Sequence, residues 1–254
     1  MSEEKEYVLK KDPKPPFFFR ICRFFAKLFT KKYKFEFREE MKKEGCIIVS
    51  NHAQAGGPLS YYLYYGKERS RRIWCIGEVI NKKEFPDYAM KDFWPNKKSK
   101  RFYRFISKLI APIMQYAFTH ANVIPVYKDS RYLTTAKKTI QTMGEGYDIV
   151  IFPEEHKPFN EIVYEFQQNF VSVAKLYCTK YKKPVYFYPS YVCPSLKKVV
   201  IGKPIEYNPD SNFEEEKVRI CEYIKKEITE IAYSLPKHTV IPYENIEKKN
   251  YTRT

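Results

Sequence analysis

The side chains best suited to chemistry in this 254-residue chain fall in three short segments, each directly after a β-like run. In VSNHAQAGGPLSYY a strand ends, Asn51 and His52 follow, and a loop of small residues leads into a helical pattern. A histidine in that position can act as a base. Gly56 and Gly57 let backbone come close to a bound group or simply turn the chain. The second segment, IPVYKDSR, supplies Lys128 and Arg131, and the third, IFPEEHKPF, supplies Glu154, Glu155, His156 and Lys157. Taken singly each has a plain structural explanation. One histidine after a strand is more often structural than catalytic, lysines in a basic chain are usually solvated, and the two glutamates suit a helix N-terminus. Taken together they offer a base, two carboxylates and several cations, which suits transfer onto a hydroxyl beside a phosphate.

Those segments need a frame that brings them together. Runs of β-branched and aromatic residues predict strands at 46–50, 72–77, 122–127, 147–152, 184–192 and 198–202, with helices over 58–66, 130–143, 161–181 and 213–235 between and after them. Alternation of this kind predicts a single α/β domain, a largely parallel twisted sheet flanked by helices. Functional residues then gather in the loops beyond the carboxyl ends of the strands. The last helix should open on an S-x-x-E capping box, Ser211 with Glu214, and bury Ile220, Ile224, Ile228, Ile231 and Leu235. The division expected is 1–40 for an arm and an N-terminal amphipathic helix, 41–243 for the domain, and 244–254 for a tail crossing the surface.

The amphipathic helix is read from PPFFFRICRFFAKLFTKKYKF, where Arg20, Arg23, Lys27 and Lys31 recur at spacings of 3, 4 and 4 among phenylalanines. A cationic stripe on an apolar helix suits the interface of an anionic membrane. KSKRFYRFISKLIAPIMQYAFTH repeats the pattern, and Pro112 should kink it or end its first half. Forty-six basic against 30 acidic residues give a net charge of +16, which implies a polyanionic partner. No RNP, helix-turn-helix or Gly-rich basic pattern is present, so nucleic acid is not the expected partner. Six scattered cysteines without CxxC spacing argue against a metal site or a disulfide framework. With a charged N-terminus and no apolar run of spanning length, the expected location is cytoplasmic, peripheral on the inner face of the membrane.

In order and spacing, NHAQAGG at 51–57, IPVYK at 124–128, FPEEHK at 152–157 and PVYFYPSYV at 184–192 resemble the blocks of the lysophosphatidic acid / glycerol-phosphate acyltransferase family. The likeness spans residues 44 to 206. It implies that family's α/β fold and the transfer of a fatty acyl group from a thioester, carried by coenzyme A or acyl carrier protein. No resident cofactor or metal is implied. The acceptor would be a lysophospholipid-like molecule or another hydroxyl or amine. The resemblance implies His52 as general base and Lys128 and Lys157 as phosphate holders, with Asn51, Gly57, Arg131 and His156 lining the substrate site and Glu154 and Glu155 in the catalytic block. The family's aspartate, five residues after the histidine, falls on Gly57, and its EGTR reads EEHK here. Losing a triad aspartate costs on the order of 10⁴ in rate. Two expectations follow: a glutamate, Glu155 first, orients His52 in its place, and Gly57→Asp raises activity or leaves it unchanged. The alternative is a catalytically inactive lipid- or acyl-chain-binding member.

Overall fold

The apolar runs become strands of one sheet and the helical patterns pack on its two faces. The computed structural model describes residues 14–30, 32–66, 69–94, 98–244 and 246–254. The chain begins with α1 (Phe17–Phe29), β1 (Lys34–Phe37), β2 (Cys46–Ser50) and α2 (Gly56–Tyr64). Next come β3 (Arg71–Ile76), α3 (Gly77–Ile80), α4 (Phe85–Asp92), α5 (Lys100–His120), β4 (Ile124–Val126) and α6 (Tyr132–Gly144). Then follow β5 (Asp148–Ile151), the hairpin β6 (Glu154–Phe159) and β7 (Tyr164–Phe166), and α7 (Ser172–Tyr181). The last elements are β8 (Tyr186–Cys193), β9 (Lys198–Ile201), β10 (Ile205–Glu206) and α8 (Phe213–Ser234).

The main sheet has the order β1-β9-β8-β2-β5-β3-β4, with β10 beside β8. β8, β2, β5, β3 and β4 run parallel, and β9 and β10 run antiparallel to β8. Every residue of β2 is buried, as a central strand covered on both faces must be. Ile47 and Val49 join the core formed with α6, α7 and α8, while Ile48 faces the opposite core with Tyr61 of α2 and Tyr65. The expected α/β sheet is therefore present.

Several elements differ from the sequence reading. Residues 34–37 form an edge strand paired with β9 rather than part of an arm. Residues 161–171 hold β7 and a 3₁₀ turn, and the helix starts only at Ser172. Pro112 lies inside α5 without ending it. Ile220, Ile224, Ile228 and Ile231 form the buried stripe of α8 as expected, but Leu235 lies past the helix end and is half-buried. The cap is Asn212, whose Oδ1 accepts from the amides of Glu214 and Glu215 at 2.9 and 3.4 Å. Ser211 instead accepts from the Asn208 side chain.

The tail folds back onto the domain. Val240 N donates to Thr252 O at 2.8 Å, Thr254 N donates to His238 O at 3.1 Å, and Thr239 bridges Arg253. Among the described residues no helix is long and apolar enough to cross a membrane.

Candidate active site

The carboxyl ends of β2, β5 and β4 lie on one side of the sheet, so the three segments do share an edge. They are not equally close. β2 and β5 are neighbours, whereas β4 lies three strand spacings from β2, about 14 Å at about 4.8 Å per strand. The NHAQAGG and FPEEHK segments meet; Lys128 and Arg131 stand off to the side.

Asn51 is buried, and both ends of its amide are held by backbone: Nδ2 donates to Val192 O at 3.1 Å and Oδ1 accepts from Val192 N at 2.6 Å. It fastens the loop to β8. After His52 the chain turns through Ala53 and Gln54 at φ of 45° and 53°, the left-handed region that residues with a Cβ seldom adopt. That turn brings the Gln54 carbonyl within 2.6 Å of His52 Nδ1. A carbonyl only accepts, so Nδ1 carries the proton and Nε2 presents its lone pair. No hydrogen-bond partner of Nε2 is found among the described residues. Burial holds the imidazole below its ordinary pKa, an effect the bond to Gln54 partly offsets. At neutral pH the ring is therefore an uncharged base. Two aromatic rings border it, Phe152 at 5.4 Å and Tyr243 at 4.8 Å between centroids.

The two glutamates separate cleanly. Glu155 is exposed and Glu154 is buried. Glu154 does not orient the imidazole: Oε2 accepts from the His52 backbone amide, and Oε1 accepts from Tyr164 N at 3.1 Å. It ties the histidine loop to the β6–β7 hairpin. Burial lifts its pKa to about 7 against these two amide bonds. The expectation that Glu155 substitutes for the missing aspartate is therefore not met; the acceptor at Nδ1 is the backbone of Gln54.

Gly57 closes the first turn of α2 over the same loop, its amide donating to His52 O at 3.1 Å. A Cβ there would stand 2.3 Å from His52 O, 2.9 Å from Phe152 Cε1 and 3.1 Å from Asn51 O. The expected gain from Gly57→Asp is thus corrected by sterics: the backbone has closed on the space such a side chain needs.

Lys128 and Lys157 are exposed. Arg131 is engaged, with Asp129 at 2.8 Å, Glu84 at 3.1 Å and its guanidinium carbon 3.9 Å above the Tyr127 ring. The side chain of His156 lies outside the described set. Tyr243, Tyr251 and Gln54 had no sequence signal: Tyr243 ends the expected domain outside any motif, Tyr251 falls in the expected surface tail, and Gln54 reaches His52 through its main chain. Two surface clefts, of about 230 and 500 Å³, are lined by other residues and do not reach His52.

No protein-family model and no curated protein sequence matches the chain. Among solved structures it is similar to the 1-acyl-sn-glycerophosphate acyltransferase of Thermotoga maritima, at 13% identity and a TM-score of 0.46, over 84% of this chain and 79% of that one.

Proposed function

We propose that the chain transfers a fatty acyl group from a coenzyme A or acyl carrier protein thioester to a lysophospholipid-like or other hydroxyl or amine acceptor, with His52 as base. The observation that carries this reading is the bond from His52 Nδ1 to the Gln54 carbonyl at 2.6 Å. Replacing a triad aspartate by asparagine costs about 10⁴ largely because the imidazole takes the wrong tautomer. A carbonyl acceptor preserves the useful one. Nε2 takes the acceptor's proton as its oxygen or nitrogen attacks the thioester carbon. The C–S bond then breaks, and the imidazolium returns the proton to the departing thiolate. A neutral carbonyl does not balance the imidazolium as a carboxylate does, so turnover should be slower than with an intact triad. Lys157, three residues along from Glu154, is the nearer candidate for an acceptor phosphate, and Lys128 the more distant.

The reaction is proposed to take place on an anionic membrane, at its inner, cytoplasmic face. Support comes from α1 and α5, whose 13 and 21 residues include no Asp or Glu. Helix α1 buries Phe19 against Tyr62, Tyr116 and His120 and leaves Phe17, Phe24, Leu28 and Phe29 more than 60% exposed. Arg23 is drawn out of the expected cationic stripe to pack on the Tyr62 ring, and Lys31 lies outside the described residues. Arg20 and Lys27 remain outward. On α5 the small Ser107 and Ala111 face inward while Phe102, Phe105, Leu109 and Ile113 face out, each more than 55% exposed. An apolar surface of this extent, rimmed by cations, fits the headgroup and acyl boundary of a bilayer.

A second reading, a non-catalytic lipid- or acyl-chain-binding protein, is favoured by one observation: the one buried glutamate of the site is bound to backbone amides and not to the imidazole. Incubating the protein with acyl-CoA or acyl carrier protein thioester and a panel of lysolipids separates the two. Thioester-dependent product supports the enzyme, and binding without product supports the alternative.

A further inference from the structure

The loop from His238 to Thr254 reaches the His52 site from the far end of the chain. Its base is closed by the bridge between Thr239 and Arg253 and fixed to β8 through His238, whose Nε2 meets Tyr191 OH at 2.8 Å. Its far side meets the left-handed turn. Gln54 Nε2 donates to Tyr251 OH at 3.0 Å and to Glu244 O at 3.5 Å, and Tyr243 lies against the imidazole. Two consecutive left-handed residues with Cβ atoms persist only where surrounding contacts hold them. Here the side chain of Gln54 is held by the C-terminal loop while its carbonyl holds Nδ1.

We infer that Tyr251 and Gln54 are positioning residues, and that the C-terminal loop fixes His52 as the Nδ1–H tautomer with Nε2 bare. The inference rests on the proposed role of His52 as base, but it concerns the state of the imidazole and can be read without turnover. Removing the Tyr251 hydroxyl releases Gln54, the turn relaxes toward ordinary dihedrals, and the carbonyl leaves Nδ1. The titratable groups around this loop are Glu154 from β6, Tyr164 from β7, Tyr88 and Asp92 from α4, which act on Tyr243, and Tyr243, Glu244 and Tyr251 from the C-terminal loop. Glu154, raised to about 7, titrates in the range of interest and adds an inflection common to every variant.

The test is nitrogen NMR of ¹⁵N-histidine-labelled full-length protein. His52 is assigned by difference with His52→Gln among the four histidines. In the wild type, His52 should show the Nδ1–H pattern and a midpoint below the ordinary histidine value. In Tyr251→Phe and in Gln54→Ala the two nitrogens should move toward the averaged shifts of mixed tautomers, and the midpoint should fall further, because the carbonyl bond that raises it is lost. His238, bound to Tyr191 and Pro236, should keep its shifts and report an intact fold. If Tyr251→Phe loses the fold, Gln54→Ala alone decides. An unchanged His52 pattern and midpoint in folded Gln54→Ala, or in both variants, overturns the inference. A protein without transferase activity that shows these shifts would reject the catalytic reading and leave the positioning intact.

Discussion

Placing aspartate at position 57 would bring the segment closer to the acyltransferase blocks it resembles, and the geometry says that it will damage the site. The first atom of any side chain there meets His52 O at 2.3 Å, where ordinary contact begins near 3.4 Å, so the carbonyl or the helix start must move by about 1 Å. Both are backbone, and the Phe152 ring 2.9 Å away blocks one direction of relief. Overpacking of this kind costs typically 1–3 kcal/mol. At roughly 2–4 °C of Tm per kcal/mol for a chain this long, Gly57→Ala should lower Tm by about 2–12 °C. Gly57→Asp should lower it at least as far, since it also buries a carboxylate. The assay is thermal unfolding of wild type, Gly57→Ala and Gly57→Asp side by side, with acyl transfer measured on each. An Asp variant as stable as wild type, or one with raised activity, would refute the steric reasoning and reinstate the missing aspartate as the site's one defect.

Two further outcomes follow from the same structure. A Glu154 pKa raised from 4.5 to about 7 corresponds to roughly 3 kcal/mol. The folded state holds that proton more tightly, so this contribution is complete below pH 4.5 and is lost as pH rises through 7. Denaturant unfolding of Glu154→Gln from pH 4.5 to 8 should lack that decline. It should also be less stable by about 1–3 kcal/mol at the acid end, because an amide NH₂ is set against one of two backbone N–H donors. A wild-type-like decline in the variant would place the titration elsewhere. For the membrane face, Phe105→Glu with Leu109→Glu on α5 should weaken sedimentation with anionic vesicles as strongly as Phe24→Glu with Leu28→Glu on α1. Wild-type binding should weaken with salt. Loss with the α1 variant alone would remove α5 from the interface.

Much of this frame was legible because burial has a period. Ile220, Ile224, Ile228 and Ile231 recur at helical spacing and are buried on one face of α8, and CIIVS is apolar throughout because β2 is covered on both sides. The carboxyl-end placement of NHAQAGG, IPVYK and FPEEHK followed from a parallel sheet. What escaped the sequence depends on the main chain or on distant contacts. The Nδ1 acceptor is a carbonyl, which every residue has, and only the dihedrals of Ala53 and Gln54 aim it. Pro153 obscured which glutamate turns inward, and the answer, Glu154, binds an amide that no side-chain pattern reveals. EIVYEFQQNF carries apolar residues at spacings compatible with helix or strand, so the hairpin there was read as helix. Arg23 leaves the cationic stripe because Tyr62, 39 residues on, offers its ring.

His52, held at Nδ1 by a carbonyl, is proposed to be a working base. Acyl transfer from labelled acyl-CoA and acyl carrier protein thioesters to lysolipids on anionic vesicles, comparing wild type with His52→Ala, tests it most directly. Wild type should give thioester-dependent product, and His52→Ala should lose at least about 10²-fold, the low end for removal of a general base. Wild-type turnover that survives His52→Ala would contradict it.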